Sequence, residues 1–309
     1  MELKHTARKG GRLSSVLKEE MGMSTGLMNR LKWKQLLFVN GIPRHTDFAV
    51  APGDTVTVLL EEPAAEYPAQ DGPLSILYED AHILAVDKPA GMLIHPSTSV
   101  FTGTLANYVL GYYRRTGQQS VFHPVTRLDR DTFGVVLLGK NSHIHALLND
   151  LHRKGQLQKT YYALTWGGPE DEEGFIDAPI ARKPLPSLLR QVHPDGKPSR
   201  TQYRVLERQG QLCHLALQPI TGRTHQLRVH CAYMGFPILG DPQYGTEASL
   251  EYSRLLGLEG QQLCAGMLEF IHPVTGESVT VRSQLTVSLA SVLQNQPRVA
   301  VSLRQNPPL

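Results

Sequence analysis

The sequence is poor in cysteine and has no long apolar run, and each shortage excludes something. Its three cysteines, Cys213, Cys231 and Cys264, stand far apart and form no CxxC pair. Neither a zinc knuckle nor a disulfide framework is therefore expected, and a reducing cytoplasm suits them. No stretch of about 18 apolar residues occurs, so no membrane span is expected. The basic segment 1–11 is followed by no apolar core of the kind a secretory signal needs. No internal repeat and no heptad pattern is present, which makes a monomer the expectation. What the chain does have is 309 residues, 41% of them hydrophobic and 19% charged. That is enough for one large core with a small satellite, and it excludes disorder across the whole chain.

The net charge is only +3, but it is unevenly spread. Residues 1–50 carry nine lysines and arginines against four acids, and residues 197–230 carry six against one, Glu207. Two basic blocks in a nearly neutral chain suggest a polyanion tracked over two surfaces.

Apolar residues recur at helical spacing in Leu13, Val16, Leu17 and Met21, with Gly22 placed to end that helix. Ser24 or Thr25 can cap a second helix carrying Leu27, Met28 and Leu31. Asn40-Gly41 between apolar runs predicts a hairpin, and Pro52-Gly53-Asp54 a further turn. Residues 1–62 thus read as a small domain. Residues 63–73, with three prolines and a glycine, read as a linker. A larger domain follows over 74–289, and a polar, proline-bearing tail over 290–309. Strand signals fall at 76–78, 83–86, 135–138, 161–165, 201–206 and 213–217, and helical signals at 104–113, 143–153 and 224–234. Strands in meanders with interspersed helices predict an α+β fold, with a mostly antiparallel mixed sheet and flanking helices.

Four segments carry candidate chemistry. The first is Pro124-Val-Thr126-Arg127-Leu128-Asp129-Arg130-Asp131-Thr132-Phe133-Gly134. Arg127 and Arg130 flank Asp129, and cations so close favour the charged form of a carboxylate. A charged carboxylate in a polyanion groove repels phosphate, so its presence there suggests covalent or acid–base work. The overlapping Gly134-x4-Gly139-Lys140-Asn141 only imitates a phosphate loop. Its middle is Val-Val-Leu-Leu, a strand, and Asn141 replaces the hydroxyl that would hold magnesium.

The second segment is Thr221-Gly222-Arg223-Thr224-His225-Gln226-Leu227-Arg228-Val229-His230. Thr224 reads as an N-cap, and Arg223, His225 and Arg228 gather near a helix start, a seat for an anion. In the third, Lys159-Thr160-Tyr161-Tyr162-Ala163, strand alternation puts Lys159, Tyr161 and Ala163 on one face. Tyr161 there can stack on a base or set its phenol near a proton in transfer. The fourth, 87–96, reads as a structural loop in which Lys88 alone is expected to meet the polyanion.

In this order the four segments resemble the RluA-type family of pseudouridine synthases, over roughly residues 74–282. Thr126 to Gly134 matches the family's catalytic motif, and Thr221 to His230 matches its longest block. Residues 268–277 are similar to its C-terminal region, and residues 12–60 to a small RNA-binding domain first known from a ribosomal protein. The resemblance implies isomerisation of uridine to pseudouridine in ribosomal or transfer RNA. Asp129 would be the nucleophile, attacking ribose or base. Tyr161 would lie against the uracil, Arg228 would pair with the catalytic carboxylate, and Arg127 would fill the stack vacated by the everted nucleotide. The RNA contacts then expected are Arg127, Arg130, Lys88, Lys159, Arg223 and His225. The family's chemistry calls for no metal and no organic cofactor, in keeping with a sequence that shows no ligand cluster. Thr126, Phe133 and Cys264 depart from the family's usual His, Ser and His. A non-catalytic RNA-binding or ribosome-assembly factor is the alternative, set against a carboxylate that a pure binder has no use for.

Overall fold

A computed structural model describes residues 2–62 and 65–294. The chain divides into two units, one of Met1–Lys159 with Met267–Ser283, the other of Thr160–Gly266 with Gln284–Leu309. In the first unit Ile83–Lys88 pairs antiparallel with Phe133–Gly139, in the second Arg200–Gln209 with Leu212–Pro219, and the fold is α+β as expected.

The first unit opens with a four-stranded sheet. Glu2–Thr6 lies beside Thr55–Leu59, then Leu37–Val39, then Ile42–Pro43. Asn40 and Gly41 both take positive φ, 50° and 79°, which makes the tight hairpin between the last two. The first expected helix is realised as a short α-turn, Leu13–Ser15, running into a π-helical turn, Val16–Glu20. Ser24 caps the second helix, Thr25–Trp33, by accepting the Leu27 N–H. Leu13, Leu17, Leu31, Leu37, Val56 and Val58 form a core of their own between helices and sheet.

Residues 65–73 hold no helix or strand, yet they are pinned. Asn107 Nδ2 donates to Pro68 O at 2.9 Å, and the Gln70 N–H donates to Asn107 O at 3.0 Å. The segment read as a linker lies so close on helix Leu105–Arg115 that a Cβ on Gly111 would stand 2.0 Å from Gln70 O. Residues 63 and 64 lie outside the described residues.

The remainder of this unit is built on strands Ser75–Glu79, Ile83–Lys88 and Phe133–Gly139, paired in that order. The hairpin of Leu263–Ile271 with Ser278–Arg282 reaches this unit from Met267 onward. Ile83–Lys88 and Phe133–Gly139 are buried along their whole length, so the apolar residues run on without alternation over Ile83–Val86 and Val135–Leu138. Helix Ser142–Arg153 covers them with Ile144 and Leu148, and Asn141, buried, caps it by accepting the Ile144 N–H. Asn141, the residue that spoils the phosphate-loop imitation, is thus a helix cap.

In the second unit the strand order is Glu173–Asp177, Arg200–Gln209, Leu212–Pro219, Gln158–Trp166, the last beginning two residues before the unit does. Helix Gln226–Tyr233 packs Leu227 and Cys231 onto Ala163, Leu215 and Leu217. Two further helices are Glu247–Leu255 and Thr286–Gln294. The second of these takes in residues 290–294 of the expected tail, and 295–309 lie outside the described residues. Among the described residues no helix is long and apolar enough to cross a membrane.

Candidate active site

Asp129 is half-buried in the loop that feeds strand Phe133–Gly139, and its sequence neighbours are fastened on both sides. Upstream, Thr126 is buried, and its hydroxyl accepts the Leu137 N–H at 3.0 Å. The Val125 N–H donates to Leu137 O at 2.8 Å, and Leu128 turns into the protein. Downstream, Arg130 O accepts from Lys88 Nζ at 2.8 Å, and Arg130 Nε donates to Gly91 O at 3.1 Å. Gly134 has φ of 110°, which only glycine adopts without strain, just where the loop enters the strand.

Lys88 is not an RNA contact. Its side chain is fully buried, and its ammonium donates to Pro89 O and Met92 O, both at 2.9 Å, as well as to Arg130 O. An ammonium has three protons, so none remains for a phosphate. Burial lowers its pKa to about 8, with the charges of Asp131 and Asp129 acting in the other direction. Lys88 is instead the clamp that joins the loop of 87–96 to the loop carrying Asp129.

Arg127 and Arg130 are exposed, as a phosphate or base contact requires. The Arg127 charge adds to burial in holding His95 below its ordinary pKa. The His95 ring stands edge-on to Phe122 at 5.3 Å and to Tyr67 at 5.9 Å. Lys159 is only half-buried, but its Nζ lies 2.9 Å from His152 Nε2, and burial lowers the pKa of both groups. That is a poorer setting for a phosphate contact than the strand alternation predicts.

In the second unit Tyr161 stands opposite Leu217 in the sheet, half-buried against the cluster that holds Leu215, Leu217 and Leu227. Arg228 is almost wholly buried and oriented by a carboxylate that the sequence reading missed. Its Nε donates to Asp241 Oδ2 at 2.7 Å, and its Nη2 to Asp241 Oδ1 and Gln243 Oε1, both at 2.8 Å. Asp241 is placed by the backbone: Leu239 N–H donates to Leu164 O, laying this segment along the strand of Tyr161. Gly240 has φ of 71°, and a Cβ there would lie 2.1 Å from Gly260 O. The available signal was an acid between Gly240 and Pro242, just beyond a basic block.

His225, not Thr224, occupies the N-cap position of helix Gln226–Tyr233, in the left-handed region at φ 57° and with no side-chain cap. Its Nδ1 lies 2.8 Å from the Tyr244 hydroxyl, which accepts the Arg190 N–H at 2.9 Å. The Arg228 guanidinium sits 5.0 Å from the Tyr244 ring centre, so Tyr244 joins the two residues that helical spacing had paired. Gln226, buried, ties the helix start to the turn before it and to the neighbouring strand: its Oε1 accepts the Arg223 N–H, and its Nε2 donates to Arg200 O and Thr201 Oγ1. Arg223 is exposed and reaches Pro198 O. Among the described residues no group of three His, Cys, Asp or Glu side chains is placed to hold a metal ion.

The family described as RNA pseudouridylate synthase matches residues 82–233, a stretch that contains Asp129, Tyr161 and Arg228. YlyB of Bacillus subtilis, described as an uncharacterized RNA pseudouridine synthase, is 39% identical over 262 residues, covering 83% of this chain and 84% of its own. The chain belongs to the RNA pseudouridylate synthase family. The ribosomal large subunit pseudouridine synthase D of Nitrosomonas europaea is 36% identical over 259 residues, 81% of this chain and 74% of its own. Among solved structures, human RNA pseudouridylate synthase domain containing 4 superposes with a TM-score of 0.58 at 25% identity, over 71% of this chain and 92% of that one. As a member of this family the chain is an isomerase that converts uridine in RNA to pseudouridine.

Proposed function

We propose that this synthase modifies particular uridines of ribosomal RNA in the cytoplasm, with Asp129 as its nucleophile. The choice of ribosomal RNA draws on relatives named for the large ribosomal subunit, in Nitrosomonas europaea and Vibrio cholerae. A reducing compartment suits three buried cysteines that carry free thiols.

The observation that carries the nucleophile is the fastening of its loop. Lys88 holds one side through Arg130 O, and Thr126 holds the other through the Leu137 N–H. A reacting group must be kept within a fraction of an ångström of its target, and neighbours locked by hydrogen bonds do that. In the reaction the bond from C1′ to N1 breaks, the uracil turns, a bond from C1′ to C5 forms, the C5 proton leaves, and N1 takes up a proton. Nothing is added or lost between substrate and product.

Asp129 attacks ribose or base to allow that exchange. Tyr161, fixed by the cluster beneath it, lies against the uracil and helps remove the C5 proton. Arg228 takes the role of the arginine paired with the catalytic carboxylate in this family. Its orientation comes from Asp241, and a guanidinium held by two parallel bonds loses little freedom on further pairing. Arg127 fills the stack left by the everted uridine, and Arg130, Arg223 and His225 bear on the RNA. Residues 1–62 act as an additional RNA-binding module.

The test is a map of pseudouridine by carbodiimide adduction and primer extension. Ribosomal and transfer RNA would be compared between cells lacking the gene and cells complemented with it. Restored stops in ribosomal RNA alone are expected; restored stops only in transfer RNA would overturn the ribosomal assignment.

A further inference from the structure

Trp33 is the most exposed large apolar side chain among the described residues, at 82%. It ends helix Thr25–Trp33, whose Met28 and Leu31 face the core of the N-terminal module. Trp33 lies on the opposite side and takes no part in that core. Arg30, three residues before it, is exposed, and so is Lys34, the next residue. Residues three and four apart are neighbours on a helix, so Arg30 shares the face that displays the indole. Lys32 places its Nζ 5.9 Å from the Trp33 ring centre, and Lys34 pairs with the exposed Glu61 at 2.5 Å. An indole this exposed is an unfavourable use of apolar surface unless something covers it.

We propose that Trp33 is a stacking platform for an unpaired base of the RNA substrate, with Arg30 and Lys32 holding the adjoining phosphates. The inference rests on RNA being the substrate and adds a contact within the N-terminal module. Charge selects the occupant. A second copy of this chain would set one basic cluster against another, which costs affinity, whereas a nucleotide brings a π-face and a negative charge together. The module is fastened to helix Ser142–Arg153 by His143 Nε2 against Met21 O at 2.9 Å, and by Glu62 accepting from the Ser142 N–H and hydroxyl. A base captured by Trp33 is therefore held by the same unit that carries Asp129.

The sequence has two tryptophans, Trp33 and Trp166, which makes the test direct. Trp166 lies against Tyr252 at 4.9 Å, so a full-length Trp166→Phe protein reports on Trp33 alone. Unmodified ribosomal RNA is expected to quench its emission saturably. In the otherwise native chain, Trp33→Ala is expected to weaken RNA binding by roughly 5- to 150-fold, read by anisotropy of labelled RNA. Trp33→Tyr should recover much of that loss. RNA binding with no quench, or Trp33→Ala binding as tightly as the native chain, would overturn the proposal while leaving the ribosomal assignment standing. Concentration-dependent self-association abolished by Trp33→Ala, with RNA affinity unchanged, would overturn it in favour of a protein interface. A native chain that binds no ribosomal RNA would overturn both readings.

Discussion

The Arg228 guanidinium and the Asp241 carboxylate face each other through two hydrogen bonds, of 2.7 and 2.8 Å, with both side chains almost wholly out of solvent. Asp241 Oδ1 also accepts the N–H groups of Gln243 and Tyr244. Removing one partner of such a pair leaves an uncompensated buried charge, at a cost of about 3–5 kcal/mol. Asp241→Ala should therefore lower stability by that amount and abolish activity with it, as read by urea denaturation and tritium release. Arg228→Lys, made in the otherwise native chain, should lose both as well, because an ammonium cannot make the two parallel bonds.

Lys88 gives a pH signature. Its pKa falls from 10.5 to about 8, chiefly because burial disfavours the charge. Between these values the unfolded chain keeps a proton that the folded chain lacks, so stability gains from rising pH. Below about 8 both states are protonated and the burial cost is constant; above about 10.5 both are neutral. The native chain should thus gain up to about 3 kcal/mol relative to Lys88→Met between pH 8 and 10.5. Urea midpoints of the two proteins across that range check it, and parallel curves would refute the assignment.

Thr126→Val keeps the shape of the side chain but removes the acceptor for the Leu137 N–H. A buried donor left without a partner costs about 1–3 kcal/mol. The variant should unfold at correspondingly lower urea, and its activity should fall because one fastening of the Asp129 loop is gone.

Gly111→Ala forces a Cβ toward Gln70 O, at a site where both groups are backbone-held. The linker must lift or the helix must shift, with a loss of about 1–3 kcal/mol. Limited proteolysis should show cleavage within 65–73 in the variant and resistance in the native chain.

Much of this architecture was legible in the sequence where local chemistry decides it. Asn40-Gly41 marked its hairpin because both residues tolerate positive φ, and Val-Val-Leu-Leu marked a buried strand in place of a phosphate loop. The hairpin of Ile180–Arg182 with Arg190–Val192 was not legible, since three-residue strands carry no period and exist through their pairing. Helix Glu247–Leu255 was missed because only Ser249, Tyr252 and Ser253 are buried, a face of mixed polarity. Lys88 misled because a charged residue in a loop reads as exposed, whereas three convergent carbonyls replace its water. Asp241 was invisible for another reason: its pairing with Arg228 spans thirteen residues and depends on how the segment after the helix folds back along the strand of Tyr161.

The central claim is that Asp129 performs the chemistry rather than holding the loop, and tritium release from RNA labelled at uridine C5 tests it most directly. Unmodified RNA from cells lacking the gene would be given to the native chain and to Asp129→Asn, with RNA affinity and urea midpoint measured for both. Release by the native chain, none by the variant, and unchanged affinity and stability are predicted. Release by Asp129→Asn at a rate near the native one would contradict the account.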